Sequence, residues 1–356
     1  MKKVTFFLAD MYKVGGVQRV VSIIANLLAD KYLINICSLF AENTEVPFEL
    51  DSRILVEKIY TEHFDLRKKI IKGLRGTKKY IKTKEFDIII VCGMGLIPVI
   101  FPNIIGRNIR MIAWEHQCFT FGKKFGFEWI GKHLALKYFN DIIVLTKKDY
   151  KMYTVHKSNA KIWQIYNPLI DNRNTNIVAN KKKRIISVGS LVPQKGFDYA
   201  IQIARNVFSE LDTEWEWDIY GEGPEKTRLQ QLIEEMNLVE KIHLCGYCKN
   251  MDQVYQEYSI YCMTSRHEGF PMVLLEAAAA NLPIISFDCN CGPSDIITDG
   301  INGYLIKCYD IDAYSEKLKS LIVDENQLKK LEVGRAKCEN EISLNRVFEQ
   351  WNDVLN

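Results

Sequence analysis

No strict repeat and no low-complexity tract runs through the 356 residues, so solenoid and fibrous architectures are excluded. Excess charge is also missing. The chain has 47 Lys/Arg against 44 Asp/Glu, a formal +3, which by itself argues for no particular partner. At 47% hydrophobic residues it is too apolar to be disordered. The N-terminal MKKVTFFLAD lacks the small-residue site of a secretion signal, and Asp10 interrupts its apolar run, so it reads as a buried first strand. The ten cysteines form no disulfide framework in a chain this long without a visible secretion signal. Reduced thiols and a cytoplasmic setting are expected. Cys245-Gly-Tyr-Cys248 and Cys289-Asn-Cys291 lack the second tight pair or Cys/His set of a structural zinc site, and read as incidental thiols. The nineteen uncharged residues from Ile88 to Gly106 contain Pro98, Pro102, Asn103 and three glycines. They read as a strand, a Gly turn and a short apolar helix rather than a membrane span.

What is present suits two domains of about 150–180 residues each. Residues 1–170 hold 27 basic and 15 acidic residues (+12), and 171–356 hold 20 and 29 (−9), so the two halves are expected to meet different partners. Strand-length apolar runs at Val4–Ala9, Ile34–Phe40, Ile88–Val91, Met111–Ala113 and Ile142–Leu145 alternate with helical periodicity such as Val17–Ala29. After Pro168 a polar stretch, DNRNTNIVANKKKR, reads as a linker. The alternation restarts with strands at Arg184–Val188, Glu216–Tyr220, Ile242–Cys245, Ile260–Met263 and Ile284–Phe287 and helices at Tyr199–Phe208, Glu225–Met236 and Val273–Ala280. Near-continuous apolar strands between helices mean parallel sheets covered on both faces. The expected fold is α/β: two doubly wound Rossmann-like domains, residues 1–170 and 171–340, facing a cleft. Ligands of such sheets bind outside the carboxyl ends of the strands.

Three of those loops carry chemistry. Gly15-Gly16 precedes a helix and lets backbone approach an anion, although a plain tight turn would look the same. Gly189-Ser190-Leu191-Val192-Pro193-Gln194-Lys195-Gly196 offers a Gly turn, then one cation, then a helix; Lys195 reads equally as a point charge for a diphosphate and as a solvated lysine. The strongest signal is Ser265-Arg266-His267-Glu268-Gly269-Phe270-Pro271-Met272, followed by Glu276 inside a Leu/Ala run. Pro271 suits the first turn of a helix, and the amides from Gly269 to Met272 would face an anion beside the Glu268 carboxylate. Glu276 is costly to bury there unless paired.

With these residues in place the chain resembles the retaining GT-B glycosyltransferases of glycosyltransferase family 4. The matching pieces are GGVQR at 15–19, WEH at 114–116, YNP at 166–168, VGSLVPQKG at 188–196, YGEGP at 220–224, the E-x7-E pair Glu268/Glu276 and GPSDIITDGINGYLI at 292–306. The resemblance implies that Glu268 holds donor-sugar hydroxyls, Glu276 the ribose, and Lys195 the diphosphate with the amides after Gly269 and Gly16. It implies that His116 contacts the donor sugar near the reacting carbon, and that Gly246 and Tyr247 pass close to the base, with Glu222, Asn167 and Asp295 at less decisive positions. Phe270, Pro271 and Met272 belong to the same donor-binding set. The chain departs from the family where Ser190 stands in place of an Arg, so a second diphosphate cation would come from Arg19 or Arg266.

The implied activity is transfer of a hexose or N-acetylhexosamine from a nucleotide-diphosphate sugar, UDP-linked by preference, to a hydroxyl acceptor, with no cofactor and no metal. Asp310-Ile-Asp312 resembles a D-x-D metal motif but precedes a helix, where Asp312 suits an N-cap. The last helix, about 341–356, is expected by the same analogy to pack back on the first domain. From Leu66 to Lys84 nine basic residues and no acid accompany an apolar face of Leu66, Ile70, Ile71 and Leu74. That helix reads either as a membrane-surface element or as a solvated face. Phe119–Lys132 interleaves five aromatics with three lysines, reading as an acceptor loop or as core. A lipid-linked or glycan acceptor at the inner face of the membrane follows, and no nucleic-acid module is recognised. A nucleotide-sugar epimerase and an inactive nucleotide-sugar-binding regulator are the alternatives.

Overall fold

The computed structural model describes residues 1–41, 43–169, 182–332 and 336–356. It divides into two units, Met1–Pro168 with Ile342–Asn356, and Leu169–Glu341. The stretch read as a linker falls mostly on residues 170–181, outside the described residues.

The first unit runs β1 (Lys3–Asp10), α1 (Gly16–Leu28), β2 (Leu33–Phe40), β3 (Leu55–Tyr60), α2 (Ile70–Lys82), β4 (Ile88–Cys92), α3 (Ile97–Ile100), β5 (Arg110–Trp114), α4 (Phe127–Tyr138), β6 (Asp141–Val144), α5 (Lys147–Thr154) and β7 (Lys161–Gln164). The seven strands lie in the order β3-β2-β1-β4-β5-β6-β7, every pair parallel. Parallel pairing demands a crossover between strands, and helices covering both faces leave the central strands no polar side. All five residues of β4 are therefore buried. The edge strands β3 and β7 are only half-buried, and their mixed sequences LVEKIY and KIWQ carry no continuous apolar run, so the pattern reading passes over them. Ile88–Gly106 forms β4, two 3₁₀ turns and α3, as its sequence suggests.

Gly131 lets α4 come close: a Cβ there would sit 1.9 Å from the Met94 carbonyl oxygen. This seating turns the next residue, Lys132, into the interior, where only 3% of it is exposed. Part of the aromatic–lysine stretch is thus structural framework and not a free loop. On α2 the seated face is Gly73, Thr77 and Ile81, with Gly73 packed against Val99 of α3. Of the apolar stripe Leu66, Ile70, Ile71 and Leu74, three are half-buried and Ile71 stays 63% exposed. Small residues set the seat because they let the helix axes approach.

The second unit runs β8 (Arg184–Val188), α6 (Phe197–Glu210), β9 (Glu216–Tyr220), α7 (Lys226–Glu235), β10 (Ile242–Gly246), α8 (Met251–Tyr255), β11 (Ile260–Met263), α9 (Met272–Ala279), β12 (Ile284–Phe287), α10 (Pro293–Ile296), β13 (Gly303–Ile306), α11 (Ile311–Val323) and α12 (Glu325–Glu332). Its six parallel strands take the order β10-β9-β8-β11-β12-β13. The N-cap of α11 is Asp310, which accepts the Ala313 N–H at 3.0 Å; Asp312, the expected cap, lies inside the first turn two positions further on. No described helix is long and apolar enough to cross a membrane.

The final helix, α13 (Leu344–Leu355), belongs to the first unit. Its Trp351 ring meets Trp114 of β5 edge-on at 4.7 Å between centroids, and Phe6 of β1 at 6.1 Å. Trp351 is 1% exposed. Trp351→Ala is expected to destabilise the first unit by ~3–5 kcal/mol, measured by urea unfolding followed in the near-ultraviolet; a loss under about 1 kcal/mol would mean that α13 is not part of that unit's core.

Candidate active site

Each sheet reverses its strand order once, between β1 and β4 in the first unit and between β8 and β11 in the second. Loops at the carboxyl ends of such neighbouring strands diverge and leave room for a ligand.

In the second unit the segments after β8 and β11 are joined side by side. The Arg266 amide donates to the Gln194 carbonyl at 2.8 Å, and Gln194 Nε2 donates to the His267 carbonyl at 3.0 Å. Gly196 caps α6 with φ +64°, and a Cβ there would lie 2.1 Å from the Thr264 carbonyl, so the two segments touch backbone to backbone. Across this seam Lys195 Nζ lies 2.7 Å from Glu268 Oε1. Glu268 is 6% exposed, and a carboxylate so placed requires such a partner. The aliphatic stem of Lys195 covers Gly189, at 3.3 Å from where a Cβ would stand.

Eight residues on, Glu276 is buried in α9 and accepts the Tyr255 hydroxyl at 3.0 Å. Tyr261 of β11 is fully buried; burial, then the negative charges of Glu276 and Glu268, raise its hydroxyl well above the ordinary value. Pro271 is the N-cap of α9 and Met272 its first residue, so the proline stands just before the helix and not within its first turn. Gly269, Phe270, Pro271 and Met272 are all buried at this end of α9.

Arg266 is already engaged. Its two terminal nitrogens meet the Asp198 carboxylate at 2.8 and 2.7 Å, and its guanidinium lies over the Tyr199 ring. Its charge is thereby neutralised within the site. The loops after β9 and β10 continue the wall: Gly189 N–H donates to Tyr220 O, and Gly221 N–H to Gly246 O. Glu222 is ion-paired to Lys226 and stands beside Gly246, whose φ is +74°. Ser190 and Tyr247 are exposed, the latter by 60%. Asp295 is buried in α10. Burial raises the Cys245 thiol to about 11, which leaves it un-ionised at neutral pH.

In the first unit, Gly16 opens α1 and has open space where a Cβ would stand. Gln18 Nε2 donates to the Asp10 carbonyl at 2.6 Å and closes the loop that leads to it. Arg19 is half-buried on the same helix turn. His116 follows β5. Its ring is packed on Trp114 at 4.4 Å, and Nε2 is buried without a hydrogen-bond partner. Burial lowers its pKa to about 3, so the ring is neutral at physiological pH. Asn167 is buried with Oδ1 unpartnered.

Among the described residues, one group of metal-type ligands lies close together: Glu216, Asp218 and His243. Arg184 is paired with both of its carboxylates, so a cation there would have to displace the guanidinium. Sequence reasoning missed Tyr255, Tyr261 and Asp198, since aromatics and acids of this kind carry no signal until the fold supplies their partners.

Residues 170–335 match the family model described as Glycosyl transferases group 1. That span takes in most of the second unit. Over its whole length the chain is 26% identical to an uncharacterized glycosyltransferase of Haemophilus influenzae, across 361 aligned residues covering 100% of both. It is 28% identical to the amylovoran biosynthesis glycosyltransferase AmsD of Erwinia amylovora, again over 100% of each chain. A solved structure of a Staphylococcus aureus TarM mutant, in complex with Fondaparinux, alpha-GlcNAc-glycerol and UDP, superposes with a TM-score of 0.82 at 18% identity and covers 100% of both chains. That likeness speaks for the fold, which is of the GT-B class: two parallel, Rossmann-like sheets of seven and six strands. The matched span contains Lys195, Arg266, Glu268 and Glu276, and His116 lies outside it.

His116 and its neighbour Glu115 make a linked prediction. The neutral His116 ring contributes stability that is complete above about pH 6.5 and lost as pH falls toward 3. Burial raises Glu115 to about 7, so its contribution is complete below about pH 4.5 and lost as pH rises through 7. Between these limits the two oppose each other. His116→Gln is expected to gain ~2–3 kcal/mol relative to the parent on going from pH 6.5 to 4.5, read by urea unfolding followed through the Trp114–Trp351 signal. A difference independent of pH would show that the ring is not held neutral.

Proposed function

We propose that the chain is a retaining, metal-independent glycosyltransferase that moves a hexose or N-acetylhexosamine from a UDP-sugar to a hydroxyl of a lipid-linked or polysaccharide acceptor. The observation that carries the reading is the Lys195–Glu268 pair at the strand-order reversal of a group 1 domain, with Glu276 eight residues further on. The names of its relatives, which include an amylovoran biosynthesis glycosyltransferase, support the same class.

In this reading Lys195 faces the diphosphate, where negative charge grows as the sugar–phosphate bond breaks, and the amide end of α9 adds its partial positive charge. Arg266 is fastened to Asp198, so Lys195 is the cation this reading assigns to the leaving group. Glu268 accepts sugar hydroxyls with the oxygen that does not face Lys195, and Glu276, oriented by Tyr255, accepts the ribose hydroxyls. Gly246 and Tyr247 border the base. His116, neutral and buried, offers the donor sugar a hydrogen bond in place of a charge. With no side-chain base assigned, the leaving phosphate takes the acceptor proton on the face it departs from, and configuration is kept. The carboxylate pair of a glycosidase is not needed.

Transfer is tested with a panel of UDP-, GDP- and ADP-sugars, reading the anomeric configuration of the product by NMR. Glu268→Gln and Lys195→Ala are each expected to lower kcat/KM by about 10²–10³. Full activity in both variants, an absolute requirement for a divalent metal, or an inverted product would overturn the reading.

For the acceptor side, the exposed basic face of α2 with Ile71, and Phe125 (69% exposed) beside Lys123 and Lys124, suit an anionic lipid surface. Co-sedimentation with phosphatidylglycerol vesicles is expected at low salt, falling at least severalfold in 0.5 M salt and with Ile71→Glu. Negligible binding at low salt would refute membrane contact.

A further inference from the structure

His116 Nε2 has no hydrogen-bond partner, so the ring is placed by its packing on Trp114 and by the backbone that carries it. That backbone leaves β5 and belongs to no helix or strand until α4 begins at Phe127. It is nevertheless tied by buried side chains at Gln117, Cys118, Phe119 and Phe121.

Glu115, 2% exposed, reaches over His116 and accepts the Gln117 N–H on Oε1 at 3.1 Å, closing a small ring around the histidine. Its other oxygen accepts the Tyr153 hydroxyl at 2.9 Å and lies 3.9 Å from Lys132 Nζ. The Lys132 ammonium donates to three carbonyls in succession, Cys118 at 3.2 Å, Phe119 at 2.7 Å and Phe121 at 2.7 Å. Asp149, wholly buried, accepts the Phe119 N–H at 2.8 Å. Four charged or polar side chains from three places in the chain thus converge on one short segment. Burying a carboxylate and an ammonium is expensive, and well-packed apolar residues of the same volume would often be as stable. The polar arrangement makes sense if the geometry of the segment matters more than its stability.

We propose that Glu115 and Lys132 are positioning residues for the reaction, a buried clamp that sets where the His116 ring stands. The proposal rests on the reading of His116 as a group that touches the donor sugar. The clamp is complete when Glu115 is ionised. Burial raises that carboxyl to about 7, against the pull of Lys132, the Gln117 amide and the Tyr153 hydroxyl, while Asp149 pushes the same way as burial. The groups facing it are Lys132 from α4, and Tyr153 and Asp149 from α5. Protonation removes the attraction for Lys132, and the histidine segment loosens as pH falls below neutral.

The test compares the full chain with Glu115→Gln, Lys132→Met and Tyr153→Phe. Tyr153→Phe keeps the ring packed on Phe119 and removes only the hydroxyl, so it guards against misfolding of the other two. Parent kcat is expected to fall on the acid side of about pH 7. Glu115→Gln is expected to lose at least tenfold in kcat at pH 8, with donor KM within about twofold and no acid limb between pH 6 and 8. Tyr153→Phe should move the limb to higher pH, because a hydrogen bond to the ionised carboxylate is gone. In parallel, the ¹⁵N-histidine spectrum should show the neutral His116 ring responding to a titration near pH 7 in the parent and not in Glu115→Gln. Parent-like kcat, acid limb and His116 resonances in Glu115→Gln and Tyr153→Phe, even with a lowered Tm, would reduce the clamp to a packing role and overturn the proposal. If the parent transfers no sugar from any donor, the functional reading fails, while the His116 spectrum still decides whether the clamp positions the ring.

Discussion

The second unit depends on one seam, where the segment after β8 lies against the segment after β11. Backbone contact at Gly196 and Thr264 sets the spacing, and hydrogen bonds through Gln194 and Arg266 set the register. Only then can a lysine on one side meet a carboxylate on the other at 2.7 Å. The Glu268 carboxylate would not be tolerated there alone, because a lone buried ion loses several kcal/mol of hydration. The pairing is therefore the condition for burying the carboxylate. Arg266 closes the outer side by fastening to Asp198 at the first turn of α6, which also places an acid at the helix N-terminus, where the dipole favours it.

The two units handle charge differently from what their totals suggest. The acidic half, at −9 for residues 171–356, keeps its cations in fixed local places: Lys195 against Glu268, Arg266 against Asp198, Arg184 against Glu216 and Asp218. The basic half, at +12 for residues 1–170, leaves most of its lysines in solvent yet draws Lys132 into the interior to satisfy backbone carbonyls. Net charge describes the long-range field of a domain and says little about a site a few ångströms across.

The central strands of both sheets were legible in the sequence because they are buried on two faces, and burial on two faces writes an unbroken apolar run, as in IIIVC. The edges β3, β7 and β13 write no such run and were passed over. Gly189, Lys195, Glu268 and Glu276 stood out because a loop between a strand and a helix has few reasons to spend those residue types in that order. Their partners did not stand out. Tyr255, Tyr261 and Asp198 are ordinary residues until the fold brings them alongside, and Arg266 looked like a spare cation for the same reason. The α2 sequence leaves a membrane-surface element and a solvated face both open and gives no sign of what seats the helix. There the small side chains of Gly73 and Thr77 allow the close approach, and Ile71 is left outside. Asp310 rather than Asp312 caps α11, a displacement of two positions that composition alone cannot resolve.

The return of α13 to the first unit has a consequence for the order in which the protein is made. Phe6 emerges from the ribosome near the beginning, Trp114 a third of the way along, and Trp351 only after the whole second unit. Until then Phe6 and Trp114 lack the Trp351 ring that packs against them. The second unit, whose described elements are continuous in the chain from β8 to α12, can close first, while the earlier-made unit waits for its last helix. During synthesis the nascent first unit is therefore the part most exposed to proteases and to holding chaperones. A ribosome that stalls inside the second unit releases a chain whose N-terminal core has never been sealed.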